Sequence, residues 1–210
     1  MELKTKLIEK ARRIIDDKDP SHDLAHALRV LRNAEYIADF EGGDLGVIIP
    51  AALFHDVIVY PKHSSKSKYS ARDSAILARE ILESLGYCKD KISLVEEAIL
   101  EHSYGKGIKP ERLESQIVQD ADRLEAVGAI AIMRTFCSTG QMQRKLYHFS
   151  DPFCVDRKPD AKAQALDLFY DRLLKVGQTM NTETARNLAG VRTKFLYQFL
   201  EQLESELLIC

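Results

Sequence analysis

Residues 45–59 read LGVIIPAALFHDVIV, an apolar run that closes on an imidazole and a carboxylate, His55 and Asp56. The pattern predicts a helix from about Leu45 to Val57. Pro50 falls near its start, where a missing intrahelical donor is tolerable, so no helical turn is expected much before Gly46. On such a helix Ile48, Ala52, His55 and Val59 share one face, which sets an imidazole on an apolar stripe with Asp56 beside it. Burying that pair needs compensation. Taken alone, a histidine on an apolar face is more often a hydrogen-bonded core residue than a ligand.

Working outward, the other segments are also helical in pattern. Leu3, Leu7, Ile8, Ala11, Ile14 and Ile15 have helical spacing over residues 3–16, until Asp19-Pro20-Ser21 breaks it. Ser21 or Asp23 can cap a second helix to about Asp39, with Leu24, Leu28 and Leu31 as its stripe, before Glu41-Gly42-Gly43-Asp44 closes it. Tyr60–Ser70 reads as a loop without an acid. Helices follow at about 71–85, 90–103, 115–137, 160–177 and 182–207, with an irregular stretch over 138–159.

The composition agrees. At 210 residues the chain fits one domain, and 45% apolar with 30% charged residues excludes both a disordered segment and a bundle of membrane spans. Lys plus Arg total 30 against 32 acids, so neither a nucleic-acid polymer nor a membrane surface is an expected partner. Ten Gly and six Pro are few for a short-stranded β architecture. No stretch reaches the ~18 apolar residues of a membrane span, and MELKTKLIEKARRIID lacks a signal-peptide core. Cys88, Cys137, Cys154 and Cys210 form no CxxC pair and read as free thiols in a reducing compartment, so a cytoplasmic location is expected. The last residue, Cys210, is not positioned for prenylation.

Three further helices repeat the anomaly of His55-Asp56. Ile92, Val95, Ile99 and His102 follow one line with Glu101 adjacent. Asp120 and Asp122 stand within IVQDADRL, where apolar residues occupy nearly every side. His22 and His26 form an i,i+4 pair. Imidazole with carboxylate is a ligand set for a divalent cation, which would offset the cost of burying these groups together.

The ordered set of His26 in HxxRV, His55-Asp56 in ALFHDV and Asp122 in DADRLEA resembles the HD superfamily of metal-dependent phosphohydrolases. The resemblance spans about residues 20–136 and includes SHDLAHALRV, EHS after an apolar helix, and GAIAIMRTF after the aspartate. It implies an all-α HD-domain helical bundle over 1–210, with an HD core at about 20–136 and a C-terminal helical subdomain at about 138–210. It also implies that His26, His55, Asp56 and Asp122 bind one divalent ion, which borderline N/O donors leave open among Mn, Mg, Fe, Co, Ni and Zn. Asp120 competes for the last place, but Ala121-Asp122-Arg123 fits the family's AD-basic ending better; Asp120 and His22 are then expected just outside the ligand set, orienting it. For His22, helix capping or packing is an equal alternative.

One position departs from the pattern. Some HD nucleotidases have an HDxxE glutamate that assists the attacking water, and here that place is Val59. His102 is therefore the expected proton-handling group, with Glu101 as the fallback base. Lys62, Lys66 and Lys68 follow the HD doublet in the acid-free loop, and Arg29 and Arg123 follow ligand segments; these are the expected phosphate-binding cations, against the plainer roles of solvated loop and helix-bracing ion pair. The expected activity is metal-dependent hydrolysis of a phosphate ester or anhydride in a small metabolite, with a nucleotide first. A phosphodiesterase and a non-catalytic metal- or nucleotide-binding regulatory module are the alternatives. Phe195, Phe199, Leu203 and Leu207 form a C-terminal stripe read first as core and second as a homodimer face.

Overall fold

Helical spacing of apolar residues along most of the chain yields an all-α fold in the computed structural model, which describes residues 2–15, 19, 21–60 and 64–207. Among them there is no strand, only an isolated bridge between Lys145 and Gln164. The chain divides into two compact units, Met1–Asp122 and Arg123–Cys210, so the division falls ahead of the expected boundary near 138.

The first unit holds α1 (Glu2–Ile14), α2 (Leu24–Glu41), α3 (Leu45–Phe54), α4 (Ser70–Ser84), α5 (Lys89–Glu101) and α6 (Leu113–Arg123), the last residue of α6 opening the second unit. Helix α3 is apolar all round and is its centre, packed against α1, α2, α4 and α5. Val47, Ile48, Leu53 and Phe54 are fully enclosed, and each such side chain contributes roughly 1.5–3 kcal/mol.

Helix α2 starts where Asp23, not Ser21, accepts the His26 N–H at 2.8 Å, and it ends where Gly42 takes φ +86°. Its buried stripe runs through Ala27, Val30, Leu31, Ala34 and Ile37; Leu24 and Leu28 of the expected stripe are only half-buried. Pro50 lies inside α3 and leaves the Gly46 carbonyl without its helical donor. The Tyr87 hydroxyl donates to that carbonyl instead, at 2.9 Å. Helix α3 stops at Phe54, three residues short of the expected end, with His55 as its C-cap. Val59 is therefore off the helix and exposed.

After the HD doublet the chain is sewn to the start of α4. The Ser74 hydroxyl accepts from the Ile58 N–H at 3.0 Å and the Ser70 hydroxyl from the Tyr60 N–H at 3.2 Å. Within the expected loop, Ser67–Tyr69 form a 3-10 turn.

The second unit contains α7 (Gly128–Met142), α8 (Asp167–Asp171) and α9 (Glu183–Leu207). The pattern over 115–137 predicts one helix, but two are present. Leu124–Ala126 tighten into a 3-10 turn, Val127 is extended and Gly128 takes φ +74°. Arg192 takes the Leu124 carbonyl at 3.0 Å, which a continuing helix would use, and Arg123 donates to the Thr179 carbonyl at 2.5 Å, to the Thr179 hydroxyl and to the Val176 carbonyl. The expected helix over 160–177 is likewise reduced to α8 and a 3-10 segment, Leu173–Thr179. Asp167, fully buried, accepts from the Arg157 guanidinium at 2.5 and 2.7 Å and from the Asp160 N–H at 2.6 Å, which pins residues 157–160 into a loop.

On α9 the buried face is Ala185, Ala189, Leu196 and Leu200. The expected stripe is turned partly outward: Phe195 is exposed, and Phe199 is half-buried with its ring stacked on Phe169 at 5.7 Å. Cys88, Cys137 and Cys154 are free thiols; Cys210 lies outside the described residues. No helix among the described residues is long and apolar enough to cross a membrane.

Candidate metal centre

Two short helices, the apolar α3 and the amphipathic α5, each end on a histidine. His55 and His102 are the C-cap residues, where the last carbonyls of a helix lack partners. Each ring turns back on its own helix: His55 Nδ1 donates to the Ala52 carbonyl at 2.9 Å, and His102 Nδ1 to the Ile99 carbonyl at 2.6 Å. A carbonyl only accepts, so the proton sits on Nδ1 and Nε2 is the nitrogen left to face the centre. Asp122 comes from the last turn of α6, and His26 from the first turn of α2.

These side chains meet. His26 Nε2 lies 3.2 Å from His55 Nε2, and Asp122 Oδ1 lies 3.6 Å from the first and 3.8 Å from the second. Asp56 Oδ2 is 3.6 Å from His55 Nε2 and 3.9 Å from His22 Nε2, while its Oδ1 is 3.4 Å from His102 Nε2. One donor atom each from His26, His55 and Asp56 fall within 4.8 Å of one another. His22 in turn bonds the Asp19 carboxylate through Nδ1 at 2.8 Å, which holds its Nε2 toward Asp56.

The electrostatics favour a cation. Burial pushes the His55 imidazole down to about 4, against the pull of Asp56, so the ring is neutral at pH 7 with its lone pair toward two carboxylates. Burial alone would raise the Asp56 carboxyl, but His55, His102 and His22 hold it well below the usual carboxylate range. Asp122 is lowered in the same way, His55 and His26 outweighing its burial. His102 is raised, because Asp56 outweighs the effect of burial. Three helices also present their C-terminal, partially negative ends here. Neutral imidazole and ionised carboxylate in one small volume form a donor set that suits a divalent ion, so the residues present fit such a group.

The remaining expected residues are placed as follows. Asp120 is completely buried in α6, two residues before Asp122. Glu101 closes α5 with its Oε2 buried and taking no hydrogen bond among the described residues. Arg29 lies half-buried on α2, three residues after His26. Lys66 and Lys68 are exposed, the Lys68 ammonium 5.0 Å above the Tyr69 ring; Lys62 lies outside the described residues. Arg123 is buried, its guanidinium engaged with Val176 and Thr179. Sequence reasoning passed over Asn33 and Gln119, buried amides on α2 and α6; a polar residue on an otherwise apolar helical face was their signal.

An all-α fold with imidazoles and carboxylates gathered at helix ends defines a class of helical proteins built around a His–Asp centre. The HD domain matches residues 23–127, and the chain belongs to this family, which is metal-dependent. It is 34% identical over 198 residues to the protein YpgQ of Bacillus subtilis (strain 168), spanning 92% of this chain and 88% of that one. A crystal structure of YpgQ in complex with ADP superposes with TM-score 0.75 at 29% identity, covering 98% of this chain and 95% of that one. An HD-superfamily hydrolase from Bacillus thuringiensis gives TM-score 0.75 at 32% identity, with 98% and 96% covered. The Lin1889 protein from Listeria innocua gives TM-score 0.75 at 31% identity, with 99% and 98% covered. The chain is thus a member of the HD-superfamily hydrolases.

Proposed function

We propose that this chain is a divalent-metal-dependent phosphohydrolase that removes phosphate from, or splits a phosphoanhydride in, a small phosphorylated metabolite, with a nucleotide as the substrate class. The observation that carries the reading is the meeting of His26, His55, Asp56 and Asp122, whose facing atoms lie 3.2–3.8 Å apart across the contacts between them. The ADP bound by YpgQ supports a nucleotide.

In this reading His26, His55, Asp56 and Asp122 hold the ion. Such an ion lowers the pKa of a bound water and polarises a phosphoryl oxygen. His102 Nε2, 3.4 Å from Asp56 Oδ1, would take a proton from the attacking water or pass one to the leaving oxygen. The Nδ1 bond to Ile99 keeps the ring from turning away. Glu101 is the fallback base, its buried Oε2 taking no hydrogen bond among the described residues. His22, held by Asp19, and the buried Asp120 orient the ligands from outside. Arg29 remains a candidate phosphate contact with Lys66 and Lys68. Arg123 does not fit that role, since its guanidinium is bonded to Val176 and Thr179.

Two measurements test the reading. Purified protein should carry a divalent metal that Asp56→Ala loses, since a site stripped of that carboxylate loses charge and geometry together. Phosphate release should then appear with one or more nucleoside mono-, di- or triphosphates across Mn, Mg, Co, Ni and Zn. The second reading, a binding module without turnover, is favoured by Val59 at the HDxxE place. Nucleotide binding with no product under every metal would establish it instead.

A further inference from the structure

We propose that Asn33 and Gln119 are positioning residues of the metal centre, setting where α6 holds Asp122 relative to His26 and His102. This rests on the reading above. Asn33 is two turns after His26 on the same side of α2, and its Nδ2 donates to the Ala121 carbonyl at 3.1 Å. That carbonyl lies in the last turn of α6, between the two aspartates, where the helix passes into a 3-10 turn and its own acceptors lose their partners. The bond therefore ties the helix bearing His26 to the residue next to Asp122, whose oxygen is 3.6 Å from His26.

Gln119 works on the other side. Its Nε2 donates to the Glu101 carbonyl at 2.8 Å and to the Ile108 carbonyl at 3.1 Å. The primary amide nitrogen carries two N–H bonds, one for each acceptor. Glu101 ends α5 and precedes His102 in the chain, so the bridge fixes the turn that carries His102 to the helix that carries Asp122. Both amides are buried, where an unmet carbonyl is expensive. In these bonds each amide acts on a backbone carbonyl beside a ligand-bearing turn.

The test is Mn(II) affinity, read by electron paramagnetic resonance or calorimetry, against thermal midpoint. Asn33→Leu, Gln119→Met and Gln119→Glu keep the side-chain volume and remove the donors. Leu82→Ala, in the core at the far end of α4, serves as a purely destabilising control. The amide variants should bind Mn(II) about 10- to 100-fold more weakly. Their activity should return at high Mn(II), while the control lowers the midpoint and keeps the parent's affinity. Should a replacement unfold the chain, Asn33→Ser reads the same affinity with a gentler change. Amide variants with the parent's affinity, or a control that weakens binding equally, overturn the positioning role alone. A parent chain that binds no Mn(II) overturns the metal-centre reading itself, and this inference with it.

Discussion

Asp56 faces three imidazoles at once, His55, His102 and His22, at 3.4–3.9 Å. Asp122 stands opposite, within 3.6–3.8 Å of His26 and His55. That His55 and His102 would be buried is readable from their apolar lines, and both are. The choice between Asp120 and Asp122 is not readable that way, because both sit among apolar neighbours and differ by two positions on one helix. In the fold Asp122 Oδ1 lies 3.6 Å from His26 and 3.8 Å from His55. Asp122→Asn should therefore release metal, while Asp120→Asn should retain more of it and act through ligand orientation. Metal content of the two purified variants at equal pH checks this, and the reverse ranking would move the ligand to Asp120.

Among elements, the break between α6 and α7 matters most, since it ends the helix that presents Asp122. Gly128 makes the break possible: its φ of +74° is strained for any L side chain, and a Cβ there would lie 3.1 Å from Arg192 Cβ. Gly128→Ala should destabilise the protein by about 1 kcal/mol or more, seen as a lower urea midpoint at unchanged slope. The periodicity of 115–137 hid this break because apolar spacing continues through Leu124 and Val127; a lone glycine in a helical pattern is a weak signal. The segment after the HD doublet carries its own prediction. Lys66 and Lys68 are exposed. Exposed charges are screened within roughly 10 Å at 0.1 M salt. Replacing Lys62, Lys66 and Lys68 by alanine should raise KM for a nucleotide most at low ionic strength, with kcat less affected. A salt-independent KM equal to the parent's would make this segment a solvated connection.

At the scale of the whole molecule, the second unit has its own apolar core and a partly buried ion pair, Arg157–Asp167. Burial would raise the Asp167 carboxyl, but Arg157, the Asp160 N–H and the Cys154 thiol together hold it below its ordinary value. A group lowered in the folded state takes up its proton first in the unfolded chain as pH falls. Its stabilisation is thus complete above the unfolded value of roughly 3.9 and drains away as pH drops through the folded one. Asp167→Asn should cost about 1–3 kcal/mol near neutrality, since it weakens the charge-assisted bonds from Arg157 and the Asp160 N–H, while Arg157 keeps its bonds to Asp151. The variant's urea midpoint should also fall less steeply than the parent's as the solution is acidified, and parallel curves would count against the account.

Sequence alone determined the helical character of the chain, the HD family and the residues whose polarity conflicts with their apolar surroundings. These follow from local spacing and from motifs a few residues long, which one stretch of chain carries by itself. Tertiary structure decided the rest. It made His55 and His102 C-caps that bond back to their own helices, which fixes the nitrogen each offers. It turned Arg123 onto Val176 and Thr179, and it set Asn33 and Gln119 across helices from carbonyls 88, 18 and 11 residues away. A hydrogen bond between distant segments has no sequence period, because its partners are matched only when packing brings their helices together.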